Sequence, residues 1–190
     1  MTKPYTIIRN FISSERADSL GREYMDYCQL VDETGDILHT CSTHNYISFA
    51  ELLYEKLPEV KELAGKSLFP TYAFSRVYKK GSILKSHTDR DECELSLTVH
   101  LCSDSDWNIW IEDDGKYFGS PGERHDIHLE PGDAMMYNGK KYRHGRTPEF
   151  DGTYYTQVFL HYVETRGMNS PMWKNYLTKI NKSVHSWDSG

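Results

Sequence analysis

The sequence predicts an α+β protein, mainly β: a double-stranded β-helix, or jelly-roll, core with flanking N-terminal helices and a C-terminal helix. Three observations predict it. Apolar residues stand at helical spacing through the first third. From Pro70 onward Tyr, Val, Ile, Phe, Thr and Trp recur at period two between clusters of Gly, Pro, Asn and Asp. A last helical stripe runs from Ser170 to Ile180. About eight short strands within about 90 residues are what a double-sheet barrel requires.

Taken in order, Tyr5 to Phe11 reads as a short apolar strand. Ser13 and Ser14 then offer N-cap hydroxyls to a helix whose buried stripe is Leu20, Tyr24, Tyr27 and Cys28. Residues 29 to 42 alternate weakly around Thr34-Gly35-Asp36 and read as a loop or short hairpin. A second helix is expected from Thr43 to Leu57 on Phe49, Leu52, Leu53 and Leu57. Pro58 opens a further turn or two, and Gly65 stands where a C-cap glycine belongs. Strands are expected at 71–79, 83–88, 94–101, 107–112, 126–129, 133–137, 141–146 and 153–163. Turn signals divide them at Lys80-Gly81, Asp114-Gly115, Pro131-Gly132-Asp133 and Asn138-Gly139. The C-terminal helix presents Trp173, Tyr176, Leu177 and Ile180.

A chain of 190 residues, 38% hydrophobic and 26% charged, suits one domain. That domain is expected over residues 1–182: helical support at 1–69, the jelly-roll core at 70–163, a helix at 170–181, and a tail at 183–190. The formal net charge of −6 argues against sequence-independent nucleic-acid binding, which needs a broad basic surface. No run is apolar enough to span a membrane, and the N-terminus lacks the apolar stretch of a secretory signal, so the expected location is cytoplasmic. Cys28, Cys41, Cys93 and Cys102 show no C-x-x-C spacing and are expected as reduced, buried thiols.

His87-Thr88-Asp89 closes an expected strand, where first and third residues project to one face and can reach one ion. His144, on one of the last strands, is the candidate third ligand, because jelly-roll topology brings such segments side by side. Two imidazoles and a carboxylate on one face leave three positions of an octahedral Fe(II) open. An isolated His-x-Asp is also met as a solvated strand end, so the surrounding sequence decides its weight.

The stretch from Arg76 through Tyr78 and Gly81 to His87-Thr88-Asp89 resembles the Y-x-x-G-x-x-x-x-x-H-x-D segment of 2-oxoglutarate/Fe(II) oxygenases of the prolyl-4-hydroxylase type. Leu97-Thr98-Val99-His100-Leu101, then Leu129-Glu130-Pro131-Gly132-Asp133-Ala134-Met135-Met136-Tyr137, then His144-Gly145 with Pro148 and Gly152 are similar to its later blocks, in family order. His-Thr-Asp-Arg-x-x-Cys-Glu and Gln157 to Tyr162 further resemble small phage and marine bacterial members. The likeness covers residues 70 to 163. It implies Fe(II) on His87, Asp89 and His144, with 2-oxoglutarate and O2 at the open positions, release of succinate and CO2, and ascorbate as a possible accessory reductant. Because halogenating relatives replace this Asp with a small residue, Asp89 implies hydroxylation or another ferryl oxidation over halogenation. The implied substrate is a peptidyl prolyl or other peptide side chain, or a small molecule.

One position departs from the pattern. The family places Lys or Arg on the strand after the distal histidine, to pair with the far carboxylate of 2-oxoglutarate; here that position is Tyr154. A buried dicarboxylate needs a cation. Arg146 shares strand and parity with His144 and reads either as an inward clamp or as a surface residue at a hairpin end. His100 stands where relatives carry a Tyr and reads either as an imidazolium donor or as a core histidine. Tyr78 resembles another pocket Tyr, and Tyr154 is retained as a hydrogen-bonding helper.

Among other histidines, His125 and His128 are three apart on an expected strand and face opposite sides, while His161 is expected to point away from the pocket. His39, His44 and His185 carry no signal. Lys79, Lys80, Lys85 and Arg90, with Lys140, Lys141 and Arg143, gather near the expected mouth, as two solvated hairpins or as an attractor of anions. Trp107, Trp110 and Tyr117 lie on the intervening hairpin as core or as a lid. Two alternatives to a hydroxylase stay open. One is a metal-binding module without turnover. The other is a nucleic-acid demethylase, disfavoured because residues 154 to 163 contain no Arg or Lys.

Overall fold

A computed structural model describes residues 3–31, 40–115 and 122–165. The chain opens with β1 (Tyr5–Ile8) and α1 (Ser14–Val31), where the Ser13 hydroxyl accepts the Arg16 amide at 3.2 Å and caps the first turn. Then come β2 (Cys41–His44), α2 (Ile47–Glu55) and α3 (Leu57–Ala64), the last closed by Gly65 at a φ of 61°, a left-handed cap that suits glycine. The β-rich part holds β3 (Leu68–Lys79), β4 (Leu84–His87), β5 (Leu95–Ser103), β6 (Ile109–Glu112), β7 (Arg124–Ile127), β8 (Ala134–Tyr137), β9 (His144–Arg146) and β10 (Tyr154–Glu164). The expected C-terminal helix and Tyr117 lie outside the described residues.

Two sheets face each other, one of six strands in the order β1-β8-β5-β10-β3-β2 and one of four in the order β4-β9-β6-β7. Every neighbouring pair is antiparallel. This is the expected jelly roll, with helices on the outer face of its larger sheet. Val99 and Leu101 of β5, with Val158, Leu160 and Tyr162 of β10, meet Tyr24 of α1 and Phe49, Leu52 and Leu53 of α2 in one core. Burying each such side chain is worth about 1.5–3 kcal/mol relative to leaving it exposed. The Tyr162 hydroxyl donates to the Leu53 carbonyl at 3.0 Å, satisfying the one polar atom it brings into that layer.

Two expectations are corrected. Thr43 and His44, expected to start a helix, lie instead in β2, because the long β3 has an edge to be paired: Thr43 stands opposite Ser75 and His44 opposite Phe74. Asn45, at a φ of 52°, ends that strand, and its backbone and side chain both bond Ala73 before α2 begins. Cys28 and Cys41, expected as thiols, are joined in a disulfide, since α1 passes the β2 edge with the two Cα atoms 6.0 Å apart. Cys93 and Cys102 stay free and buried. Because disulfides persist in oxidising surroundings, cysteine usage no longer argues for a cytosolic location. Among the described residues no helix is long and apolar enough to cross a membrane.

The bridge closes a sequence separation of 13 residues, so losing it should cost about 2–3 kcal/mol. Urea denaturation checks this. The Cys28→Ser/Cys41→Ser protein should unfold at lower denaturant than the oxidised wild type, and dithiothreitol should weaken the wild type and leave the variant unchanged.

Candidate metal centre and adjoining pocket

The centre is built where the shorter sheet pairs its first two strands. His87 ends β4, His144 begins β9, and the two stand directly opposite each other with ring centroids 4.4 Å apart. The register shifts between Leu84 and His87. Leu84 opposes Arg146, so three residues of β4 span what two span on β9. A regular strand would send Leu84 and His87 to opposite faces; the bulge turns His87 inward beside Leu84. His87 Nδ1 lies 2.8 Å from the Lys85 carbonyl and His144 Nδ1 2.9 Å from that of Tyr142. Each Nδ1 therefore carries its proton, and in the neutral ring each Nε2 directs a lone pair inward.

Asp89 completes the group. Its Oδ1 lies 3.5 Å from Nε2 of both histidines, its amide donates to the Gly139 carbonyl at 2.9 Å, and its Oδ2 accepts from the Ser96 hydroxyl at 3.2 Å. The three ligand atoms lie within 4.8 Å of one another. With the Nδ1 protons committed outward, three acceptors face one another, and only protons or a cation between them relieve the repulsion. Burial works to raise the Asp89 carboxyl, but hydrogen bonds to His144 and His87 outweigh it and hold the group well below the usual carboxylate range. Burial opposes a charge on His87, yet its bonds to Asp89 and the Lys85 carbonyl prevail and lift it above the ordinary histidine value. The donor set fits a divalent ion that takes nitrogen and oxygen ligands.

Arg146, two residues beyond His144 on the same strand face, is 1% exposed. Its Nη2 donates to Gln157 Oε1 at 2.7 Å and to the Tyr155 hydroxyl at 3.3 Å, and its Nη1 donates to the Trp107 carbonyl. The guanidinium lies 4.4 Å from the Tyr155 ring centre and 5.2 Å from that of Trp107. All these partners are neutral, and Nε is buried with no hydrogen-bond partner among the described residues. Among the described residues no carboxylate thus stands against this buried guanidinium. Tyr78 borders the same space, edge-on to Trp107 at 5.0 Å. Thr98 Oγ1 and Tyr137 Oη, from inward-facing residues of β5 and β8, are likewise buried without a partner among the described residues.

His100 stacks on Tyr155 at 4.4 Å, with Nδ1 2.7 Å from the Leu129 carbonyl. Burial pushes its pKa down to about 4, so it is a neutral ring at pH 7, not the imidazolium considered above. Tyr154 is on the wrong face for a pocket residue: it packs against the helical core, because β10 alternates and turns Tyr155, Gln157 and His161 inward instead.

No protein-family model and no curated protein matches the sequence. Solved structures do resemble the fold. HygX from Streptomyces hygroscopicus, with nickel, 2-oxoglutarate and hygromycin B bound, is 14% identical at a TM-score of 0.67, covering 87% of this chain and 84% of its own. A Pseudomonas putida prolyl-4-hydroxylase is 15% identical at 0.64, covering 87% and 95%. The viral collagen prolyl hydroxylase of Paramecium bursaria Chlorella virus-1, in its 2-oxoglutarate complex, is 14% identical at 0.59, covering 84% and 96%.

The chain has the fold of the 2-oxoglutarate/Fe(II) oxygenases. Within that fold three further histidines among the described residues, His125, His128 and His161, take separate places. His125 faces Asp113 at 3.3 Å and His128 faces Glu130 at 2.9 Å, each a local pair away from the centre. His161, expected to point away, faces the centre: its Nδ1 lies 3.0 Å from Ser96 Oγ, and burial pushes its pKa down to about 4. Two residues of the basic cluster are ion-paired. Lys140 holds Asp91 at 2.7 Å and Lys141 holds Asp114 at 2.5 Å, which offsets those two charges, while Arg143 bonds the neutral Ser86 hydroxyl at 3.0 Å, a contact that offsets none. Trp107 and Trp110 are both buried.

Sequence reasoning did not single out Tyr155, Gln157, Ser96, Thr98 or Tyr137. The usable signal was polar residues at one parity within otherwise apolar strands.

A raised His87 pKa means that the folded metal-free protein gains stability from this proton below 6.5, the ordinary histidine value, and loses the gain as pH rises through the folded pKa. A metal must displace the same proton, so metal affinity should climb with pH across that window. NMR titration of the ring protons provides the check. Asp89→Asn removes the leading favourable partner, and the His87 pKa should then fall below its wild-type value as burial takes over.

Proposed function

We propose that the chain is an Fe(II)- and 2-oxoglutarate-dependent dioxygenase, a hydroxylase acting on a peptidyl prolyl or other side chain or on a small molecule. His87, Asp89 and His144 hold Fe(II), and Arg146 binds the far carboxylate of 2-oxoglutarate. The observation that carries this reading is a buried guanidinium with only neutral partners among the described residues, one strand repeat from a histidine of a three-acceptor cluster. Two residues of strand span about 6.6 Å, which suits a short dicarboxylate chelating at one end and ion-paired at the other. Bound there, Fe(II) with 2-oxoglutarate and O2 supplies a two-electron oxidation of a substrate C–H bond, with succinate and CO2 as the co-products.

The chain's own residues orient and insulate. Tyr155 and Trp107 hold the guanidinium plane, the neutral His100 ring backs Tyr155, and Tyr78 lines the wall. Thr98 Oγ1 and Tyr137 Oη are donors available to a polar ligand. His87 is the more exposed of the two histidines, its side chain 38% exposed against 2% for His144, so the oxidised substrate approaches from that side. Relatives in fold are described with hygromycin B or as prolyl hydroxylases, and both substrate classes stay within the proposal. Nucleic acid is disfavoured by the net charge of −6.

The test is anaerobic titration of the Fe(II) protein with 2-oxoglutarate, followed by the visible charge-transfer band of the chelate, beside an assay of succinate formation with and without Fe(II). Losing a charge-assisted pair costs about 1.5–3 kcal/mol, so Arg146→Met should raise the 2-oxoglutarate Kd about 10- to 100-fold and leave Fe(II) binding unchanged. His100→Phe, which removes no charge, should have the smaller effect. A wild type with neither band nor succinate would replace this reading with a metal-binding module.

A further inference from the structure

We propose that His161 and Ser96 form a positioning pair that holds Asp89 with a single oxygen, Oδ1, turned to the imidazoles, so that the carboxylate binds the metal through one atom only. The inference rests on the reading of His87, Asp89 and His144 as metal ligands, and it concerns residues that reading leaves unused.

Asp89 lies past the end of β4, and its backbone offers one anchor, the amide bonded to the Gly139 carbonyl at 2.9 Å. That anchor leaves the carboxylate torsions unset. Oδ1 stands 3.5 Å from each Nε2, and rotation about the terminal torsion, whose wells are broad, would bring Oδ2 inward as well. Ser96 opposes this by placing its hydroxyl 3.2 Å from Oδ2. The Cys93 carbonyl, 3.3 Å from the same hydroxyl, is the weaker claimant, since a charged acceptor draws the proton more strongly. A serine hydroxyl has one proton. Once that proton is directed to Asp89, the Ser96 oxygen accepts, and His161 Nδ1 stands 3.0 Å away to donate. The donor chain runs from β10 through β5 to the carboxylate.

The surroundings fix this chain in place. Ser96 and His161 are 0% and 4% exposed. The His161 ring is set by Tyr72 at 4.7 Å and by Phe159, nearly parallel at 6.2 Å. At Gly139 a Cβ would fall 2.1 Å from Asp89 Oδ2 and 2.7 Å from Ser96 Oγ, so the missing side chain is the space this pair occupies. A carboxylate held to one oxygen leaves an octahedral ion with three open positions, whereas a chelating one would leave two.

Co(II) alone is the probe, because its visible absorption reports coordination number and its binding needs no turnover. His161→Phe and Ser96→Ala should each weaken Co(II) binding about 10- to 100-fold and change the spectrum. His161→Asn, whose amide donates from nearly the same place, should recover most of the affinity and the wild-type spectrum. Gly139→Ala removes no polar group but displaces Oδ2, and should reproduce the spectral change. Thermal unfolding identifies any variant that does not fold. Should His161→Phe be one, Ser96→Ala and Gly139→Ala carry the same decision. Folded variants that bind Co(II) as tightly as wild type with its spectrum overturn the positioning pair alone. A folded wild type that binds no Co(II) overturns the metal-site reading and this proposal with it.

Discussion

The pairing of β4 with β9, carried past a bulge, is the constraint on which the site depends. Both strands are short, of four and three residues, and hold few hydrogen bonds of their own. Their register nevertheless sets His87 opposite His144 and Leu84 opposite Arg146. A one-residue slip would turn His144 and Arg146 outward together and leave Asp89 without the His144 imidazole. The edge contact alone is too small to choose a register. The choice is made by β6, which pairs with β9 through Trp110 and Ile111, and by the burial of Ile109 and Ile111 beneath that sheet.

The larger sheet supplies the other half of the site, and β10 shows how. It is buried along nearly all of its length, as expected of a strand covered on both faces. Val158, Leu160 and Tyr162 meet the helices, while Tyr155, Gln157 and His161 face the barrel. The outward set contributes stability through transfer from water. The inward set costs desolvation, which hydrogen bonds to Arg146 and Ser96 offset. A single strand thus anchors the helical layer and carries polar groups to both ends of the candidate site.

That division explains what could be read from the sequence. His87, Asp89 and His144 were legible as candidates because each stands in a short ordered motif, although His87 is turned inward by a bulge and Asp89 lies past the end of β4, which regular strand spacing does not describe. Tyr154 was chosen by its offset from His144, which ignores the alternation within β10; Gln157 and His161, polar residues at one parity among apolar neighbours, carried the better signal. His100 was legible in place and not in charge, since its neutrality comes from burial that tertiary structure alone creates. The Cys28–Cys41 bridge depends on where α1 passes the β2 edge, and no local spacing encodes that crossing. The strand at Cys41 to His44 was hidden for a related reason: a demand by β3 for an edge partner outweighed local helical preference.

Burial along the site also sets an order. The Arg146 side chain is among the most deeply buried large groups in the protein, His144 is nearly as covered, and His87 is the most open of the three acceptors. A ligand that spans the guanidinium and the acceptor cluster must pass the His87 side before it reaches Arg146. Anything bound first over that opening would block the way. On the proposed reading the deep ligand enters ahead of the one that covers it, and the buried charge keeps it in place, because leaving would return Arg146 to neutral partners in a low-dielectric space. The same barrel face that surrounds the guanidinium with neutral partners thus favours, on that reading, a site filled from the bottom upward.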